Sequence, residues 1–129
     1  MDYKQLFQRA VEARKNAYVP YSKFRVGAAL LTHNGKIYTG CNIECASFGA
    51  TNCAERTAIF KAVSEGNKDF EAIAIASDNE DYTFPCGICR QVIFEFGKSI
   101  KIIVGKSNED LKIMTIEELL PNGFSKEDF

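Results

Sequence analysis

Apolar and polar residues recur along this chain with two different periods, and the switches between them mark out its elements. Over residues 2–16, Leu6, Phe7, Ala10, Val11 and Ala13 fall at helical spacing with charges between them, which predicts an amphipathic helix stopped by Pro20. Phe24–Thr32 and Lys36–Ile43 are apolar runs joined through Thr32-His33-Asn34-Gly35, and Asn-Gly between two such runs predicts a β-hairpin. Residues 52–64 return to the helical period. There Ala54, Ala58 and Ala62 form a narrow stripe suited to close packing on a sheet, and Gly66 ends the helix. Glu71–Ala76 reads as a short strand, Cys86–Gly97 as a third helix, and Lys101–Gly105 as a strand buried on both faces. Thr115 followed by Glu118 is a capping-box signature for one more short helix before Pro121 and Gly123.

Strands alternating with helices after an antiparallel hairpin predict an α/β fold, a mixed sheet of about five strands with helices on both faces. The chain has 129 residues, 46% hydrophobic and 26% charged, without repeats or low-complexity stretches, which fits a single domain over 1–129. Charge narrows the function. Sixteen Lys and Arg stand against seventeen Asp and Glu with no long run of one sign. That argues against a nucleic-acid binder, whose affinity comes from clustered basic residues that release phosphate counterions. A small, nearly neutral substrate suits the balance better. The opening MDYKQLFQRAVEARKNA lacks the continuous apolar stretch of a secretory signal, and no run reaches the roughly eighteen apolar residues of a membrane span. The expectation is a cytoplasmic protein without a membrane partner.

Five cysteines, an odd count in a reducing compartment, point to metal or catalysis more than to disulfides. Cys53-Ala54-Glu55-Arg56 opens the second helix and Pro85-Cys86-Gly87-Ile88-Cys89 opens the third. Cys53, Cys86 and Cys89 are the number of protein ligands a catalytic zinc takes when water fills its fourth position. Cys86 and Cys89 lie three apart, so a helix start brings both sulfurs to one side, and the positive end of the helix favours thiolates. Three thiolates on Zn²⁺ leave a net charge of −1. Arg56 is placed to offset it by donating hydrogen bonds to the sulfurs from beyond the ligand shell. Glu55, two positions after a ligand, can face the open zinc position without binding the metal. In zinc deaminases a zinc-activated water attacks C4 of cytosine while such a glutamate moves protons.

With these motifs the chain resembles the small cytidine deaminase family in its form with three cysteine ligands. The resemblance also rests on Tyr18-Val-Pro-Tyr-Ser-Lys-Phe-Arg-Val-Gly-Ala-Ala, Gly40-Cys-Asn-Ile-Glu, Cys-Arg-Gln-Val after Ile88, and Glu118-Leu-Leu-Pro. It implies a cytidine deaminase-like three-layer α/β/α fold, one Zn²⁺ per subunit, and conversion of cytidine and deoxycytidine to their uracil counterparts in pyrimidine salvage. It implies that Asn42 and Glu44 bind the ribose 3′-hydroxyl, that Phe24 lies against the pyrimidine, and that Ala54 is a further substrate contact. It also implies a homotetramer with shared active sites, in which Phe124 closes a neighbouring subunit's pocket. Two positions depart from the family pattern: Cys45 stands where Asn is common, and Phe48 where a Tyr often lies near a neighbouring site.

Blander readings exist for each residue. The cysteines could form a closed structural zinc site with Cys41 or Cys45 as fourth ligand, in a non-catalytic interaction module, although Glu55 counts against that. Cys41 and Cys45 otherwise read as packing residues. Asn42 and Glu44 could be ordinary turn residues, and Phe24 and Phe124 core residues. His33 beside the Asn-Gly turn reads as solvent-facing. Among catalytic alternatives, a different cytosine compound, such as a nucleoside antibiotic or a base in RNA, is possible; the near-neutral charge disfavours RNA.

Overall fold

Asp2 starts the first helix, α1 (Tyr3–Ala13), by accepting a hydrogen bond from the Lys4 backbone N–H at 3.0 Å. Here and throughout, the structure is a computed structural model describing residues 1–129. Leu6, Phe7 and Ala10 form the buried stripe of α1. The helix ends at Ala13 in a 3-10 turn over Arg14–Asn16, before Pro20 is reached. The expected proline stop is therefore not what ends it: beyond Ala13 the residues are polar and offer the sheet nothing to bury.

Strands β1 (Val26–Thr32) and β2 (Ile37–Cys41) form the expected hairpin. Its turn is not the two-residue form that Asn-Gly favours. Gly35 N–H donates to Thr32 O at 3.0 Å, and Gly35 alone in the loop takes a positive φ, of 89°. This is a type I turn followed by a left-handed residue, the usual three-residue hairpin loop. Helix α2 (Ala54–Ser64), strand β3 (Phe70–Ser77), helix α3 (Gly87–Glu95) and strand β4 (Lys101–Ser107) follow. Each predicted span is recovered to within two residues. The fifth strand, which the hydrophobic pattern did not locate, is β5 (Asp110–Thr115). It is a largely exposed edge strand whose polar-apolar alternation, Asp110-Leu111-Lys112-Ile113, lasts only four residues. Thr115 then caps α4 (Ile116–Leu119) in the predicted capping box with Glu118.

The sheet order is β2-β1-β3-β4-β5, with only β3 and β4 parallel. Helix α3 makes the crossover between those two, as a parallel pair requires. Alternate residues of the strands feed two cores. Ile73, Ile75, Ile102 and Val104 pack with Ala54, Ala58, Ile59 and Ala62 of α2, Ile93 and Phe94 of α3, and Ile116 of α4. Ala29, Leu31, Ala74 and Ile103 pack with Leu6, Phe7 and Ala10 on the opposite face. Strand β4 is thus buried on both sides, and the molecule has the three layers α/β/α. The alanine stripe of α2 lets it approach β2 so closely that a Cβ on Gly40 would sit 2.5 Å from both Ala54 O and Ala58 N. That contact fixes where α2 begins. No helix is long and apolar enough to cross a membrane.

Candidate active site

Cys53 is the residue before the first turn of α2, and Cys86 holds the same position before α3. Both have extended backbone, and neither side chain caps its own helix, so the thiols are free to face each other. Cys89 lies in the first turn of α3 and is fully buried. The three sulfurs lie within 4.8 Å of one another, with Cys53 Sγ and Cys86 Sγ 3.8 Å apart. Two sulfurs each about 2.3 Å from one tetrahedral ion would be about 3.8 Å apart. Soft donors at this separation fit Zn²⁺, and the half-buried Cys41 and Cys45 lie outside the cluster, so no fourth protein sulfur completes it.

The charge around the sulfurs is organised by two residues of α2. Arg56 donates from Nη2 to Cys53 Sγ at 3.3 Å, and its buried Nε has no acceptor. Burial works against the guanidinium's charge, but the Cys53 and Cys89 sulfurs outweigh it and hold its pKa above the ordinary value. Cys53 is pushed down to about 5, first by its hydrogen bond with Cys89 and then, against burial, by Arg56. Cys89 moves the opposite way, raised by the same hydrogen bond, by burial and by Glu55. One thiolate and one thiol sharing a proton behave so, and a metal replaces that proton for both. Glu55 is only 4% exposed. Burial pushes its carboxyl up to about 7, its own backbone N–H opposes the rise, and the Cys53 charge adds to it. The result is a carboxyl near neutrality beside a sulfur cluster, the condition for moving protons in both directions at neutral pH.

Of the residues expected to bind substrate, Ala54 opens α2 and the others lie outside the helices and strands, where Asn42 and Glu44 each have a visible structural occupation. Asn42 bridges the start of β1, accepting from Val26 N–H and donating to Phe24 O, each at 2.9 Å. One Nδ2 hydrogen remains to spare. Glu44 is nearly buried and accepts from the backbone N–H groups of Tyr21 and Ser22, each at 3.1 Å. These Ser22 and Tyr21 contacts hold its carboxyl below the ordinary range. Both residues are therefore turn-builders as well as candidate ligands. Ala54 is fully buried between Cys53 and Glu55 at the start of α2, like Cys89 of the sulfur cluster. Phe24 and Phe124 are 39% and 57% exposed and lie outside both cores. Phe48, 73% exposed, meets Tyr21 edge-on at 6.0 Å. His33 is exposed beside its turn, 3.8 Å from Asp69.

Two residues escaped the sequence reading. Arg90 and Gln91 follow the ligand Cys89 directly. Arg90 donates to Pro85 O and Leu119 O, and Gln91 to Phe124 O. Their adjacency to a ligand in the Cys-Arg-Gln run was the signal available. The largest cavity, about 590 Å³, lies between the start of α1 and β5. None of the five main cavities is lined by Cys53, Glu55, Cys86 or Cys89.

Residues 1–106 match the family model of the cytidine and deoxycytidylate deaminase zinc-binding region. A cytidine deaminase of Sporosarcina psychrophila is 52% identical, covering 99% of this chain and 95% of its own length. The crystal structure of cytidine deaminase from Burkholderia pseudomallei superposes with a TM-score of 0.91 at 42% identity, covering 96% of this chain and all of that one. A blasticidin-S deaminase of Bacillus cereus is 36% identical over 81% of this chain and 80% of its own.

Proposed function

Because this chain belongs to the cytidine and deoxycytidylate deaminase family, we propose that it hydrolyses cytidine and deoxycytidine to uridine and deoxyuridine, releasing ammonia. The observation that carries the reading is Glu55: a buried carboxyl held near neutrality beside three convergent sulfurs that lack a fourth protein partner. That combination disfavours a closed structural zinc site, which has no use for an adjacent buried carboxylate.

Cys53, Cys86 and Cys89 would hold the zinc, which when bound would supply the Lewis acidity that makes a water more acidic. The chain's own residues do the rest. Glu55 takes a proton from the attacking water and passes it to ring N3, which makes C4 electrophilic. It then passes the second proton to the amine leaving C4, so that water and cytidine become uridine and ammonia. Arg56 balances the thiolate charge that would otherwise weaken the metal's pull on water. Glu44 and the spare Asn42 hydrogen suit a ribose hydroxyl, and Phe24 offers its exposed ring to the pyrimidine.

The apolar side chains Tyr18, Tyr21, Phe24, Ile43, Phe48, Ile88 and Phe124 all stand exposed on the single chain. Their exposure supports a homotetramer in which each subunit's rim is covered by a neighbour and Phe124 closes a neighbouring pocket. A single domain over 1–129 working in the cytoplasm in pyrimidine salvage completes the reading. The test is ammonia release and loss of ultraviolet absorbance with cytidine, deoxycytidine, cytosine base and blasticidin S offered separately to the zinc-loaded protein. Turnover of both nucleosides above the other two is expected, with loss on chelation and recovery on adding Zn²⁺. Preference for blasticidin S would shift the assignment to the antibiotic, and no turnover of any would end it. Light scattering decides the tetramer.

A further inference from the structure

The guanidinium of Arg90 bridges the ligand loop before α3 and the end of α4, which otherwise meet only through apolar packing around Ile93, Phe94 and Ile116. Nε donates to Pro85 O at 2.7 Å, immediately before the ligand Cys86, and Nη1 donates to Leu119 O at 2.9 Å, at the end of α4. From Leu119 the chain enters the tail through Pro121 and the left-handed Asn122 to Phe124, whose carbonyl accepts from Gln91 Nε2 at 2.7 Å. Consecutive residues of α3 therefore hold both ends of the tail segment. Arg90 is half-buried and makes no ion pair, so its charge is spent on two neutral carbonyls beside the cluster. A guanidinium presents several N–H donors in a rigid fork that spans the two carbonyls from separate nitrogens, whereas a lysine would have to serve both from one flexible ammonium.

We propose that Arg90 is a positioning residue that couples the zinc-ligand loop at Pro85-Cys86 to the tail carrying Phe124. The substrate arm of this proposal rests on the reading that Phe124 closes a nucleoside pocket; the coupling itself does not. Through one side chain, the ligand loop of one subunit and the lid it offers to its neighbour share a support.

The experiment compares Arg90→Gln, Arg90→Lys and Phe124→Ala with the unaltered tetrameric enzyme. Zinc loss to a chelator, amide exchange at Leu120 and Gly123 of the tail, and steady-state kinetics are measured for each. Removing charge-assisted hydrogen bonds to both carbonyls should speed zinc loss and tail exchange by about tenfold each in Arg90→Gln. KM should rise severalfold while kcat per bound zinc stays within about twofold. Exchange in Ile102–Val104 of β4 serves as the control for an intact core. Arg90→Lys should restore one of the two, zinc retention or tail protection, and not both. Wild-type zinc loss and wild-type tail exchange in Arg90→Gln would overturn the coupling. Should that variant fail to fold, the same two wild-type results in Arg90→Lys would overturn it instead. An unchanged KM in Phe124→Ala would remove the substrate role of the tail, and with it the KM arm, leaving zinc loss and exchange to decide the coupling.

Discussion

Cys89 and Glu55 are buried in the first turns of helices that pack on the sheet, whereas Phe24, Phe48 and Phe124 stand on loops with 39%, 73% and 57% of their surface exposed. The reacting groups must keep their geometry through every turnover, and helix starts pinned by close packing provide it. The rim must admit a nucleoside and release its product, which loops allow. All three sulfurs, the carboxyl and the arginine beside them come from the starts of α2 and α3 in one chain. The rings of the rim stand uncovered in that chain. On the proposed function, the chemistry lies within one protomer and closure falls to a neighbour.

This division is broken most severely at Glu55. In Glu55→Gln the carboxyl that moves protons is replaced by an amide of nearly the same size, so kcat should fall by about 10²–10⁴-fold. Zinc content and assembly should stay as they are, because Glu55 holds no metal. Zinc analysis beside cytidine turnover checks both; substantial turnover in that variant would remove Glu55 from the mechanism.

Gly40 tests whether the chemistry depends on how α2 is seated. A methyl group there runs into Ala54 O and Ala58 N, the backbone that follows Cys53, and neither can yield as a flexible side chain does. Overpacking of this kind costs about 1–3 kcal/mol, and Gly40→Ala should lower the denaturant midpoint accordingly. It should also lose zinc faster than the unaltered protein does, since the helix that carries Cys53 must shift. A midpoint change with unaltered zinc loss would separate the seating of α2 from the metal centre.

Sequence disclosed the two regions unequally, for physical reasons. The helix starts at Cys53 and Cys86 were legible because ligand spacing, capping position and apolar periodicity agree there, and the alanine stripe of α2 announced its close approach. Strand β5 was not, because its alternation spans only Asp110–Ile113 and an edge strand buries too little to extend it. The hairpin was legible at Asn34-Gly35 while its turn type was not, since loop length and register decide whether Asn34 takes a positive φ. The bonds of Asn42 to β1 and of Arg90 to Leu119 link residues far apart in sequence, and only the folded chain brings them together.

The smallest effect is expected at Phe48, where the rim departs from the family pattern. Its ring lies edge-on to Tyr21 and is largely exposed in a single chain, so a hydroxyl added at its far edge meets no obstacle within the protomer. If a neighbouring subunit covers this ring, Phe48→Tyr gains one hydrogen bond at the interface, with a net contribution of about 0.5–1.5 kcal/mol. KM for cytidine should then fall by about two- to tenfold while kcat and zinc content stay constant. Because the hydroxyl can act only across an interface, KM should respond in the tetramer and stay unchanged in any dissociated form. A change in kcat at constant KM would instead tie this loop to the reacting groups, and the separation between a rigid chemical centre and an adjustable rim would fail at the point where the two approach each other.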